Sequence, residues 1–189
     1  MVDYVTLMLI NMCAGLTILG LFLWFGFESD NRKGWVPGLL MSGVVAELTG
    51  FAMTFTRPLT HVMGYDVHWA NMVYGEMTVL LGMSLLGAAL ALWMNRALYT
   101  VAVYGMLAGI AAVVLGVGII VLHVHPIPLW GAIGLILTGA AGVVTLPAVR
   151  LARGRPLRWL SGAMLLAAAM LWGYMAYAAY WMHLSHWAK

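Results

Sequence analysis

Six histidines carry the clearest chemistry in this chain: His61, His68, His123, His125, His183 and His186. Imidazole is a common ligand for zinc, copper, nickel and haem iron. The spacing suits shared coordination. His183 and His186 are three apart, so on a helix their side chains are neighbours. His123 and His125 are two apart and precede Pro126. Proline biases the residue before it toward extended backbone, and in an extended stretch alternate side chains point the same way. Both pairs can therefore present two imidazoles together. Asp66 could add an oxygen ligand, and Met63 or Met182 a soft sulfur. The rival reading is interfacial: histidine is at home where apolar protein meets water. One such pair is weak evidence, and three pairs converging on one side is stronger.

The rest of the chain says what must position these side chains. Of its 189 residues, 64% are hydrophobic and 8% charged, against ~45–50% and ~25% in soluble domains. That balance excludes a soluble globular protein, a nucleic-acid binder and a disordered chain. Cys13 is the only cysteine, which excludes an internal disulfide scaffold. Six segments have the roughly 20 apolar residues that a crossing helix needs. They run Tyr4–Phe25, Trp35–Thr56, Ala70–Met94, Thr100–Leu122, Leu129–Val149 and Trp159–Met182. None alternates at period two, so a barrel is excluded. The expected fold is an all-α integral membrane protein, a single domain over residues 1–189 with six transmembrane helices in a compact bundle. Glycine-rich stretches such as Gly105 to Gly109 and Gly139 to Gly142 are expected to let helix backbones approach closely.

Basic residues orient the bundle. The first, third and fifth connections hold Arg32, Lys33, Arg96, Arg150, Arg153, Arg155 and Arg158, whereas the opposite side holds Arg57 and Lys189. Short loops rich in Lys and Arg stay in the cytoplasm. Both termini are therefore expected to be extracytoplasmic, in the cell membrane. Trp69, Trp130, Trp181 and Trp187 would sit at the outer interface and Trp35 and Trp159 at the inner one. The first apolar run exceeds the ~7–15 residues of a cleaved signal and lacks a basic start. This topology puts all six histidines on the extracytoplasmic face.

Two carboxylates fall inside predicted helices. Glu47 lies near mid-membrane, and Glu76 about 10 Å below the outer end of the third helix. A charge at such depth costs roughly 2.5–3.5 kcal/mol on insertion scales. Each must face the bundle interior, be protonated, or have a partner. Thr49, Asn71 or Tyr74 could hydrogen-bond a neutral carboxyl, or Glu76 could serve the histidines as a ligand or outer-shell acceptor. Cys13 has no neighbour in sequence that would make it a ligand.

The stretch from Met53 to Leu92 resembles an uncharacterised family of small polytopic membrane proteins of bacteria and archaea. The carrying residues are Met53-Thr54, Arg57-Pro58-Leu59, Asn71-Met72-Val73-Tyr74-Gly75-Glu76 and Leu85-Leu86-Gly87-Ala88-Ala89. In that family a Thr-Trp-Pro-Leu-Pro run precedes an Asn-x-x-x-Gly-Glu motif at a helix start. This chain has Arg57 in place of the tryptophan and a longer loop carrying His61, Asp66 and His68. The resemblance implies a polytopic fold and singles out Asn71 and Glu76. It implies no activity.

The expected function is therefore binding of a transition metal, copper favoured, or of haem iron by the histidine face, in a redox or metal-handling role. His123, His125, His183 and His186 lead, and His61 and His68 follow. Glu76, Glu47, Asp66 and Asn71 are expected in an outer shell or a proton path. One alternative is a proton-coupled transporter using Glu47 and Glu76. Another is a non-catalytic subunit of a larger membrane complex, and a homo-oligomer is also open. Beyond lipid, no nucleic acid or acidic partner is expected.

Overall fold

A computed structural model describes residues 4–62, 65–124, 129–151 and 154–187, with only the backbone of Val62, His186 and Trp187. Helix α1 (Tyr4–Leu21) runs on into a π-helical turn, Phe22–Gly26. A 3₁₀ turn, Arg32–Trp35, leads into α2 (Val36–Thr56). A minimal antiparallel hairpin, β1 (His61–Val62) and β2 (Tyr65–Asp66), sets His61 opposite Asp66. Then follow α3 (His68–Trp93), α4 (Tyr99–Val121), α5 (Leu129–Arg150) and α6 (Arg155–Trp187). All six are long and apolar enough to cross a membrane.

Helices satisfy their own backbone groups, and that makes apolar runs of this length helical where water is scarce. Their ends need separate closure. Asn95 and His123 close α3 and α4 in the left-handed conformation, at φ 52° and 49°. The N–H of Arg96 reaches back to the Ala91 carbonyl, and that of Val124 to the Ile119 carbonyl. This six-to-one bond is the Schellman closure. Arg57 ends α2, also left-handed at φ 46°, with a single bond from its N–H to the Met53 carbonyl, since Pro58 has no N–H to give a six-to-one bond.

The helices form a ring in chain order, closed by α6 against α1. Packing is closest between α4 and α5 and sparsest between α3 and α4. Glycines bring α4 and α5 into backbone contact. A Cβ added to Gly109 would fall 2.4 Å from the Gly139 carbonyl oxygen, and one on Gly142 would fall 2.6 Å from that of Gly105. The tight packing expected of these stretches is present at Gly109, Gly139 and Gly142, whereas Gly105 has open space where a Cβ would stand. Large apolar side chains such as Leu48, Phe55, Leu107, Val114 and Met170 point outward.

Contacts define the two ends of the ring. At one end Arg158 pairs with Glu28 and lies 4.5 Å from the centre of the Phe27 ring. The Trp24 indole N–H donates to the Trp159 carbonyl at 2.8 Å, and Arg150 lies over the Tyr99 ring. The first, third and fifth connections thus share that end. At the other end the hydroxyls of Tyr4 and Thr56 lie 2.7 Å apart, beside the hairpin.

Two expectations need correction. Helix α6 extends beyond Trp159–Met182 at both ends, so Arg155 and Arg158 belong to its first turn and not to a connecting loop. Arg158 is only 7% exposed. It is a packed, paired cation rather than a solvated loop charge. Also, α1 does not run to Phe25 as a regular α-helix but widens into the π turn.

Candidate functional site

Among the described residues, the hairpin end brings two of the expected ligands close together. His61 lies opposite Asp66 across the hairpin, and His68 opens α3 two residues later. The two imidazole ring centres are 6.2 Å apart. Rings that share an ion through nitrogens at about 2.0–2.1 Å stand at a similar separation, roughly 5–6.5 Å. An oxygen of Asp66 accepts the backbone N–H of His68 at 3.0 Å and lies 3.8 Å from His68 Nε2. All three side chains are exposed.

Asn71 builds this arrangement from below. It is 2% exposed. Its side-chain oxygen accepts the Leu59 N–H at 2.9 Å, and its amide donates to the Leu59 carbonyl at 2.6 Å and to the His68 carbonyl at 3.1 Å. A third tie runs from the Val67 N–H to the Thr60 carbonyl. Arg57-Pro58-Leu59 and Asn71, which are separate in sequence, are thus bonded to each other. Asn71 acts here as a clamp on the loop backbone, with its hydrogen-bonding groups already engaged.

The other histidines fare differently. His123 is the left-handed closing residue of α4 and does not enter the extended stretch expected for it. The closure of the helix sets the backbone at His123, whereas the bias of Pro126 acts on His125. His125 and Met63 lie outside the described residues. Helix α6 does continue through His183 and His186, as their pairing requires. His183 and Met182 are exposed, and the side chain of His186 lies outside the description. Among the described residues no group of three or more His, Cys, Asp or Glu is placed to hold a metal ion.

The two carboxylates also part company. Glu76 is exposed on the outward face of α3, in line with exposed Met72 and Met83. It faces neither the ring interior nor, among the described residues, any histidine. Glu47 turns toward α3. Both of its carboxyl oxygens are shut off from solvent, with no hydrogen-bond partner among the described residues. Gly82 makes room for it: a Cβ there would fall 2.6 Å from Glu47 Oε1. None of the expected partners serves Glu47. Thr49 donates to the Val45 carbonyl, Asn71 clamps Leu59, and Tyr74 packs edge-on against Trp172. Cys13 packs against Gly173 and has no ligand partner among the described residues.

Sequence reasoning missed Gly82, Trp172 and the Glu28–Arg158 pair. Each depends on a meeting between helices, and no local spacing signals it. Trp172, fully buried at 0% exposure, is a partial exception. It lies in the middle of an apolar run, away from the interfacial positions where tryptophan is usual.

The chain matches, over residues 1–186, the model of a family described as "Protein of unknown function (DUF981)". It belongs to that family. No curated protein and no solved structure matches it.

Proposed function

Membership of a family without an assigned activity leaves function to be argued from the residues, and we propose an integral membrane protein that binds a transition-metal ion at its hairpin end. The bilayer setting is supported by six apolar helices and by large apolar side chains on the outside of the ring. A surface of that kind is unsuited to water. The bias of Lys and Arg toward the Glu28–Arg158 end supports placing that end in the cytoplasm and both termini outside.

The observation that carries the metal reading is the 6.2 Å separation of the His61 and His68 rings, with Asp66 beside them. Two imidazoles suit zinc, copper or nickel, and Asp66, 3.8 Å from His68 Nε2, would serve as a partner of that ring and not as a third ligand. The exposed setting of His61, Asp66 and His68 favours such an ion over haem. Remaining coordination positions fall to water or to the other outer-end histidines. The role that follows is redox chemistry or metal handling at the outer face. Protons compete with the ion for imidazole, so retention falls on acidification.

Metal analysis of detergent-purified protein, equilibrated with Cu²⁺ or Zn²⁺ and then dialysed, tests this. Wild type should retain metal, and His61→Ala/His68→Ala should lose it. The pair His183→Ala/His186→Ala shows whether the α6 histidines contribute. Negligible metal in wild type and variants alike would end the reading.

A second reading, proton-coupled transport, is favoured by one observation. Glu47 is a mid-helix carboxyl with both oxygens enclosed and unpartnered among the described residues. Ionisable groups at such depth often mark proton pathways. On this reading Glu47→Gln abolishes proton-linked flux in liposomes while metal retention is unchanged. Flux equal to that of wild type rejects it.

A further inference from the structure

Two adjoining cavities, of about 90 and about 80 Å³, lie inside the ring. They share Leu19, Ser84, Gly105, Gly142 and Thr145 in their walls. Together they reach from Tyr74 and Trp172, toward the hairpin end, to Leu98 and Val149 at the other. On α3 the walls run from Tyr74 to Ala88, about 21 Å of helix. The space is therefore long and narrow and runs along the helix axes, as the chains of a surrounding bilayer do. It lies behind the α3–α4 seam, the sparsest in the ring.

The lining selects against water. A buried water needs two to four polar partners, and apolar cavities of about 150 Å³ stay dry yet take up benzene. Here the walls are mostly leucine, alanine, glycine and methionine. The hydroxyls of Ser84, Thr138 and Thr145 already donate to carbonyls of their own helices. The Trp172 N–H is directed to Thr138 Oγ1 at 3.5 Å. Gly105 is informative by contrast with its neighbours. Gly109 and Gly142 are needed because backbone lies where a side chain would go, but a Cβ on Gly105 would meet nothing within 4 Å. Its missing side chain widens the cavity.

We infer that this cavity takes up one hydrocarbon chain, of acyl or isoprenoid type, entering sideways from the bilayer between α3 and α4. The inference rests on the bilayer reading and is independent of the metal. Inside a membrane the gain comes from close packing rather than from escape from water. Filling the cavity from the protein side should therefore displace the guest.

The full-length protein, delipidated in detergent, is titrated with palmitate or with geranylgeraniol, and adducts are followed by native mass spectrometry. Wild type and Gly105→Ala should take up a single saturable adduct. Gly105→Leu should weaken it by about tenfold or more, the equivalent of losing roughly two methylene contacts. Ala108→Leu, on the same wall, serves if Gly105→Leu does not fold by circular dichroism. Uptake of palmitate alone identifies an acyl guest, geranylgeraniol alone an isoprenoid, and both the shared chain chemistry. No saturable adduct with either probe, or equal affinity in the filled variants, overturns the proposal. Membrane fractionation of the same cells reports on the bilayer reading separately.

Discussion

Asn71 grips Leu59 by both of its backbone groups, accepting from the N–H at 2.9 Å and donating to the carbonyl at 2.6 Å. One buried carboxamide thereby holds the loop that carries His61 and Asp66 against the first turn of α3. Removing it leaves part-buried backbone groups without these partners, where a fully buried group would cost about 1–3 kcal/mol. Asn71→Ala should destabilise the protein by about 2–4 kcal/mol and loosen the loop. Thermal unfolding in detergent, with limited proteolysis between Arg57 and His68, reads both effects. A variant as stable and as protease-resistant as wild type would show that the clamp is dispensable.

Glu47 and Gly82 act as a pair. A methyl group at position 82 would fall 2.6 Å from Glu47 Oε1 and 3.0 Å from the Ala46 Cβ. Gly82→Ala should therefore cost about 1–3 kcal/mol by overpacking. Glu47→Ala in the same chain frees that space, so the double variant should recover part of the loss. A double-mutant cycle in thermal stability measures the coupling. Strict additivity would mean that the carboxyl does not rest on Gly82.

The Glu28–Arg158 pair is asymmetric in burial: the arginine side chain is 9% exposed and the glutamate 58%. Losing the buried partner leaves a glutamate that water can solvate. Losing the exposed partner strands a buried cation against Phe27 and the Ala148 carbonyl. Glu28→Gln should thus cost about 1–3 kcal/mol, and Arg158→Met, which retains apolar bulk, should cost less. Comparing the midpoints of the two unfolding curves decides the order. The reverse ranking would contradict the geometry.

Helix α4 offers an internal contrast. Gly109 faces the Gly139 carbonyl at a distance that leaves no room for a methyl, while a Cβ on Gly118 would meet nothing within 4 Å. Gly109→Ala should lose about 1–3 kcal/mol. Gly118→Ala should be neutral or gain up to about 1 kcal/mol from lower backbone freedom in the unfolded chain. Parallel melts of the two variants suffice, and equal stability would deny the backbone contact between α4 and α5.

The sequence alone determined the helices. Apolar runs of crossing length, broken by Arg, Asn and Pro, leave the backbone one way to satisfy itself without water. The ends shifted only where local closure or packing intervened, as at the π turn of α1 and the early start of α6. The Asn-x-x-x-Gly-Glu stretch was also legible as a motif, but its meaning was not. Only the tertiary structure decided that Asn71 clamps Leu59, that Gly75 packs against Thr54, and that Glu76 faces outward. Glu47 and Glu76 look alike in sequence, each a lone carboxylate in an apolar run. What separates them is the angular position of each helix in the ring, which is set by how glycines on facing helices nest. That is a property of pairs of helices, and a single run of residues does not encode it.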